Sequence, residues 1–152
     1  MSHLTEAGEV HMVDVGSKAV TARTAVAEAH VTMTRSVRET VFSGGLPKGD
    51  ALAVVRIAAI MGAKRTPEVI PLCHPVGLDA VEVTIEPTET GARIEVTARV
   101  EGRTGVEMEA MTGAAVGAVT LYDMIKGLDR GVTIGPVRLL SKSGGASGEW
   151  RR

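Results

Sequence analysis

Between Ala25 and Met33 the chain alternates, with Ala25, Ala27, Ala29, Val31 and Met33 on one side and Glu28, His30 and Thr32 on the other. A period of two predicts a strand with one buried face, which Val26 disturbs only mildly. Thr34 precedes a short polar stretch, Arg35 to Phe42, that suits one or two helical turns before Gly44-Gly45. Lys48 and Gly49 open the next element. From Asp50 to Met61 the apolar residues Leu52, Val55, Ile57, Ala58 and Ile60 form a wide stripe, predicting a helix with Asp50 as its N-cap.

Beyond Gly62 a basic turn, Lys64-Arg65, leads into Thr66 to Pro75, whose prolines forbid a long helix and predict a rigid loop. Val81, Val83 and Ile85 then alternate with Glu82, Thr84 and Glu86, and Ile94, Val96, Ala98 and Val100 with Glu95, Thr97, Arg99 and Glu101. These are two strands joined at Thr88-Glu89-Thr90-Gly91, with outward Glu and Arg residues set to pair across the ladder. Thr104 and Glu107 have the spacing of a capping box. Met108, Met111, Ala115, Val119, Tyr122 and Ile125 follow at helical spacing up to Gly127. Val132, Ile134, Val137, Leu139 and Leu140 predict a last strand, interrupted at Gly135-Pro136. The order strand, helix, strand, strand, helix, strand is that of an α+β, ferredoxin-like (βαββαβ) domain, an antiparallel sheet with helices on one face.

A length of 152 residues fits one domain, 1–152, with 1–10 and 143–152 expected to be flexible. Phe42, Tyr122 and Trp150 are the only aromatic residues, so the core must be aliphatic. A formal net charge of −1, with Lys and Arg scattered, leaves no electrostatic footprint for nucleic acid. Cys73 is the single cysteine, which excludes an intrachain disulfide and fits a reducing compartment. Residues 1–10 carry no apolar run suited to export, and Arg56 breaks the longest stretch that could approach a membrane helix. A soluble, cytoplasmic protein is expected.

Several groups carry chemistry. Glu107 and Glu109 fall in the first turn of a helix, where helix capping explains them as well as catalysis does. Asp123 and Lys126 share a helix face at the spacing of an ordinary ion pair. Glu109 and Asp123 stand fourteen residues apart, roughly 21 Å along the helix, too far for one small substrate to touch both within one chain. If both serve catalysis, two chains must build the site. Gly113, Ala114, Gly117 and Ala118 strip bulk from mid-helix, allowing close packing on the sheet or on a neighbouring subunit. Cys73 and His74 sit between Pro71 and Pro75 in a stiffened loop, but no second Cys-His cluster completes a zinc site, and adjacent residues of an extended segment point apart. Lys142 and the glycines that follow offer a cation and backbone N–H groups suited to phosphate, although a flexible tail accounts for them equally. Arg23, Lys48, Lys64, Arg65, Lys126 and Lys142 together could neutralise a polyphosphate, as could any six surface cations.

Six separated strings, in order, resemble the MoaC family of cyclic pyranopterin monophosphate synthases. They are His11-Met-Val-Asp-Val15, Lys48-Gly-Asp50, Pro71-Leu-Cys-His-Pro75, Thr104-Gly-Val-Glu-Met-Glu-Ala110, Leu121-Tyr-Asp-Met124 with Lys126, and Ile134-Gly-Pro-Val-Arg-Leu-Leu140 with Lys142-Ser-Gly-Gly145. The likeness runs from about Val10 to Gly148. It implies a ferredoxin-like subunit, dimers assembled into a homohexamer with sites shared between two subunits, and a role in molybdenum-cofactor biosynthesis. The implied substrate is 3′,8-cyclo-7,8-dihydro-GTP from a partner radical SAM enzyme, and the products are cyclic pyranopterin monophosphate and pyrophosphate.

Carried over by position, Lys48 and Lys126 are the implied acid/base pair, with Asp123 placed to tune Lys126. A lysine working near neutrality needs its pKa lowered by burial or by cations, whereas Asp123 favours the charged form, so which lysine is acid stays open. Asp14, Arg23, Cys73, His74, Glu107, Met108, Glu109 and Lys142 match substrate-binding positions, with Arg23, His74 and Lys142 the implied triphosphate contacts. Magnesium on the triphosphate is compatible with the chemistry, but the sequence holds no dedicated ligand set. Ala146 stands where the family usually repeats lysine, Arg103 where lysine is frequent, and Gly113, Ile125 and Gly127 differ from the commonest family residues. The rival readings are a non-catalytic ferredoxin-like nucleotide-binding module and an RNA-binding ferredoxin-like domain. Retention of Lys48, Asp123 and Lys126 opposes the first, and the lack of an aromatic residue in any predicted strand opposes the second.

Overall fold

A computed structural model describes residues 3–146 and 148–152. Its elements are β1 (Thr21–Thr32), α1 (Arg35–Ser43), α2 (Ala51–Lys64), α3 (Thr66–Val69), β2 (Ala80–Thr88), β3 (Gly91–Gly102), α4 (Glu107–Ile125), β4 (Thr133–Ser143) and β5 (Trp150–Arg151). The strands form one antiparallel sheet in the order β2-β3-β1-β4-β5, so the four long strands have the ferredoxin-like arrangement with β1 inside.

Local chemistry starts α1 and α2 where the pattern indicates, and α2 runs on through Gly62 to Lys64, past the Met61 end expected from the sequence. Thr34 accepts the Val37 N–H at 3.4 Å to begin α1, and Gly44, at φ 75°, ends it. Asp50 Oδ1 accepts the Ala53 N–H at 3.0 Å and caps α2. The proline-punctuated segment holds only the single turn α3. Outward charges pair across β2 and β3, with Arg99 on Glu82 at 2.8 Å and Arg93 on Glu86 at 3.4 Å.

Alternation in β1 puts Ala25, Ala27, Ala29 and Val31 against the helices, in register with Ala98, Val96, Ile94 and Ala92 of β3. Small side chains on the central strand let α4 lie close. A Cβ added at Gly113 would come within 3.0 Å of the Ala59 carbonyl oxygen, and one at Gly117 within 3.3 Å of Ile94 and Ala59. The bare mid-helix therefore serves packing on α2 and the sheet within this chain.

Two expectations need correction. Thr104 does not cap α4: the N-cap is Val106, without a side-chain hydrogen bond, and Glu107 turns to Lys142 at 3.2 Å instead. A cation within reach on β4 outcompetes the Thr104 backbone N–H, the donor three residues back that a capping box would offer this carboxylate. Trp150, placed outside any strand by the sequence, lies in β5, where Lys142 pairs with Trp150 and Ser141 with Arg151. Two residues are too short for any periodicity to show. One edge tryptophan, with the Arg152 guanidinium 5.9 Å from its ring centre, does not supply the stacking platform on central strands that RNA recognition uses.

Candidate functional site

Candidate residues gather in two groups at opposite ends of α4. At its C-terminal end, Asp123 accepts from two lysines: Lys126 Nζ lies 2.7 Å from Oδ1 and Lys48 Nζ 3.0 Å from Oδ2. Lys48 Nζ also donates to the Asp123 carbonyl oxygen at 2.6 Å. Lys48 reaches this position from a tight turn in which the Gly49 N–H bonds the Leu46 carbonyl at 3.0 Å. Gly49 adopts φ 91°, a region that strains residues with a Cβ, and buried Leu46 anchors the turn. Hydrogen bonds from Lys126 and Lys48 hold the Asp123 carboxyl below its usual value, and the same bond raises the Lys126 ammonium above its own. Lys126 therefore stays charged at neutral pH and is suited to give a proton rather than take one.

The N-terminal end of α4 borders a cavity of about 250 Å³ lined by Leu72, Cys73, His74, Thr104, Glu107, Met108 and Glu109, with Val13, Val15 and Lys18 from the segment before β1. His74 Nε2 lies 2.7 Å from the Val13 carbonyl oxygen. A carbonyl only accepts, so Nε2 carries the hydrogen and Nδ1 is the acceptor nitrogen when the ring is neutral. Glu109 is 3% exposed, and no cation among the described residues lies within 4.0 Å of it. Burial pushes its carboxyl up, outweighing a hydrogen bond from its own backbone N–H, and the Glu107 charge adds to the rise.

Burial, then the charge of Glu109, raises the Cys73 thiol. A thiol held in its neutral form is a poor nucleophile. Cys73→Ser is accordingly expected to keep turnover within about tenfold, against the roughly 10⁶-fold loss that follows removal of a protease nucleophile. Alkylation of Cys73 by iodoacetamide should reach half its limiting rate only above pH 9.0, the unshifted thiol value. A midpoint below that value, or a collapse of turnover in the serine variant, would contradict this.

Beside the cavity, Arg23 Nε donates to the Gly102 carbonyl at 3.0 Å, and Arg23, Glu107, Lys142 and Gly144 border a common crevice. The guanidinium also borders a shallower groove with Lys18 and Ala146. Asp14 takes no part in the cavity; its Oδ1 accepts the Gly16 N–H at 2.7 Å within its own turn. Lys64 lines a separate groove beside β2. Lys18 escaped the sequence reading because one lysine in a polar segment without periodicity gives no signal. Among the described residues, no group of three or more His, Cys, Asp or Glu is placed to hold a metal ion.

Of the eleven candidate positions, Lys48, Asp123 and Lys126 thus converge at one end. Cys73, His74, Glu107, Met108 and Glu109 border the cavity at the other, where Arg23 and Lys142 flank it. One chain does not join the two groups: Glu109 and Asp123 are fourteen residues apart on α4, roughly 21 Å. No helix is long and apolar enough to cross a membrane among the described residues.

Comparison with known proteins agrees with the motifs. Curated relatives named cyclic pyranopterin monophosphate synthase include one from Corynebacterium glutamicum strain R, 53% identical over 150 residues, covering 99% of this chain and 96% of its own. Relatives of the same name from Chloroflexus aggregans and Thermomicrobium roseum are each 51% identical over 154 residues, covering 100% of this chain and 93% of theirs. The sequence model of the MoaC family matches residues 12–145, and with near-complete coverage by relatives at half identity, this chain belongs to the MoaC family.

Proposed function

We propose that the protein converts 3′,8-cyclo-7,8-dihydro-GTP into cyclic pyranopterin monophosphate and pyrophosphate, as a cytoplasmic homohexamer built from dimers. A radical SAM enzyme supplies the substrate. The observation that carries the reading is the sharing of Asp123 by Lys48 and Lys126, a pair of cationic proton carriers around one carboxylate at an exposed helix end. Ring opening and reclosure need protons delivered and removed at successive atoms, which such a cluster supplies. Lys126, held charged by Asp123, is the general acid.

The cavity at the other end binds substrate. Glu109 faces the purine-derived ring, and Arg23, His74 and Lys142 face the phosphates. Cyclic phosphate formation breaks the bond between the α-phosphorus and the bridging oxygen, and charge develops on departing pyrophosphate where these cations lie. Since one chain holds the two halves apart, each complete site takes its lysine cluster from one subunit and its cavity from another.

Incubation of the purified protein with the cyclised dihydro-GTP is expected to release one pyrophosphate per substrate, read by a coupled phosphate assay, with the pterin product identified by mass spectrometry. Tight binding of that nucleotide without pyrophosphate release would favour the non-catalytic module instead.

A further inference from the structure

Past β4 the chain turns across the start of β1. Thr24 pairs with Ser143, and the next two residues, Gly144 and Gly145, take positive φ, 90° and 73°. At Gly144 an added Cβ would run into the Ala22 main chain, 3.1 Å from its carbonyl carbon and closer to the oxygen, so that backbone already lies where a side chain would stand. At Gly145 the obstacle is of another kind. A Cβ there would fall 2.7 Å from Arg23 Cζ, 3.0 Å from Nη2 and closer still to Nη1. Bare main chain at 145 thus lies directly against the guanidinium.

Other contacts hold the same group. Arg23 Nε donates to the Gly102 carbonyl at 3.0 Å and Nη2 to the Arg103 carbonyl at 3.2 Å, both at the end of β3. A guanidinium has five N–H donors, and neither of these bonds uses Nη1. Glu107, the carboxylate bordering the same crevice, is taken by Lys142 at 3.2 Å, and Arg23 forms no ion pair among the described residues. The guanidinium also borders the groove that holds Lys18 and Ala146.

We infer that Gly145 is a positioning residue for phosphate binding: because it carries no side chain, the Arg23 guanidinium is clamped between the main chain at 145 and the carbonyls of 102 and 103, with Nη1 turned to the phosphates of the substrate. Fixing a long side chain before the ligand arrives removes the ordering cost that a free arginine would add to binding. The same clamp places positive charge, with no reorganisation, where negative charge grows on departing pyrophosphate. The inference rests on the functional reading for the identity of the phosphates; the clamp itself rests on geometry.

An alanine at 145 meets the far end of a flexible side chain, so the arginine yields and the fold does not. The guanidinium must retreat by roughly 1 Å to reach ordinary contact. Binding of inorganic pyrophosphate is read by calorimetry, and kcat/KM for the cyclised dihydro-GTP by pyrophosphate release. Gly145→Ala should weaken pyrophosphate binding by at least about tenfold, the share of one charge-assisted hydrogen bond, and lower kcat/KM by about 10²-fold, with the far-ultraviolet dichroism of wild type. Gly8→Ala is the control: Gly8 stands at φ 81° with nothing within 4 Å of an added Cβ, so it carries the same backbone penalty and should bind and turn over as wild type. In an Arg23→Ala background the methyl at 145 has nothing left to displace. Arg23→Ala/Gly145→Ala should therefore match Arg23→Ala within about twofold in both readouts, whereas a glycine needed only for the loop would cost as much in either background.

Equal losses in the two backgrounds would overturn the clamp, as would unchanged pyrophosphate binding in Gly145→Ala, a loss of the same size in Gly8→Ala, or a wild type that binds no pyrophosphate. Should Gly145→Ala fail to fold, the double variant decides: without the guanidinium it folds if the clash is the one inferred, and a second failure overturns the inference. Silence of position 145 in the Arg23→Ala background, read by pyrophosphate binding in a protein that releases none from the cyclised nucleotide, sinks the functional reading and leaves the clamp standing. Turnover with equal losses in both backgrounds does the reverse.

Discussion

Lys126→Ala is expected to lower kcat for pyrophosphate release by about 10²–10⁴-fold, the range lost with a general acid, while melting temperature stays unchanged. The side chain is about half exposed and, among the described residues, bonds only Asp123, so its removal opens no cavity and strands no buried partner. Lys126→Arg should fare no better, because guanidinium keeps the charge but does not release a proton near neutrality. The sign of the pH dependence is fixed by the carboxylate. Asp123 raises the Lys126 pKa, and a general acid loses activity as pH rises through its pKa. Asp123→Asn removes the cause of the rise, so the alkaline limb of kcat/KM should move to lower pH. An unmoved limb would assign the acid elsewhere.

Mixing inactive variants tests the shared site more sharply. Lys48 and Lys126 bond the same Asp123 within one chain. Mixed oligomers of Lys48→Ala and Lys126→Ala therefore carry a defect in every lysine cluster and should stay inactive. Lys126→Ala mixed with His74→Ala is different. In a heterodimer, one site collects both defects and the other none. Random subunit exchange makes half the dimers mixed, so recovery should approach about one quarter of wild-type activity. No recovery from that second mixture would place both halves of each site in the same chain.

Strand positions were legible because burial on one face imposes a period of two, and the alanines of β1 kept that period despite their small size. Asp50 announced α2 for the equally local reason that a carboxylate at an N-cap bonds the first turn. Thr104 misled for a non-local reason: the spacing was right, but Lys142, thirty-five residues after Glu107, took the carboxylate that the capping box required. β5 was invisible because two residues have no pattern. Within the candidate site, the i, i+3 pair of Asp123 and Lys126 could be read from spacing, whereas the arrival of Lys48 depends on contacts seventy-five residues apart. Motif order stood in for that missing distance, since strings that match one family together carry geometry that no single string contains.

Glu28 is a position where a single substitution should cost about 3 kcal/mol in stability, although nothing in the functional reading uses it. It lies on the sheet face away from the helices at 3% exposure, within reach of three cationic or basic groups. Oε1 is 2.7 Å from an Arg138 nitrogen and 3.2 Å from His30 Nε2, and Oε2 is 3.3 Å from Arg93. Burial alone would push the carboxyl up, but the hydrogen bond from Arg138 and the nearness of the His30 ring, with their charges, leave it below 4.5. Removing one member of a buried charge cluster costs about 3–5 kcal/mol because the remaining charges lose their partner. Arg93 and Arg138 are partly exposed, and Arg93 retains Glu86 and Glu95, so Glu28→Ala should fall near the lower end, about 3 kcal/mol. The pH dependence follows from the depressed pKa. Glu28 contributes fully above the unfolded value of 4.5, and its contribution fades as pH falls through the lower folded value. Urea midpoints of wild type and Glu28→Gln, compared at one protein concentration because assembly adds its own stability, should be well separated at pH 7 and converge at strongly acid pH. A separation that persists in acid would mean the side chain matters for its packing and not for its charge.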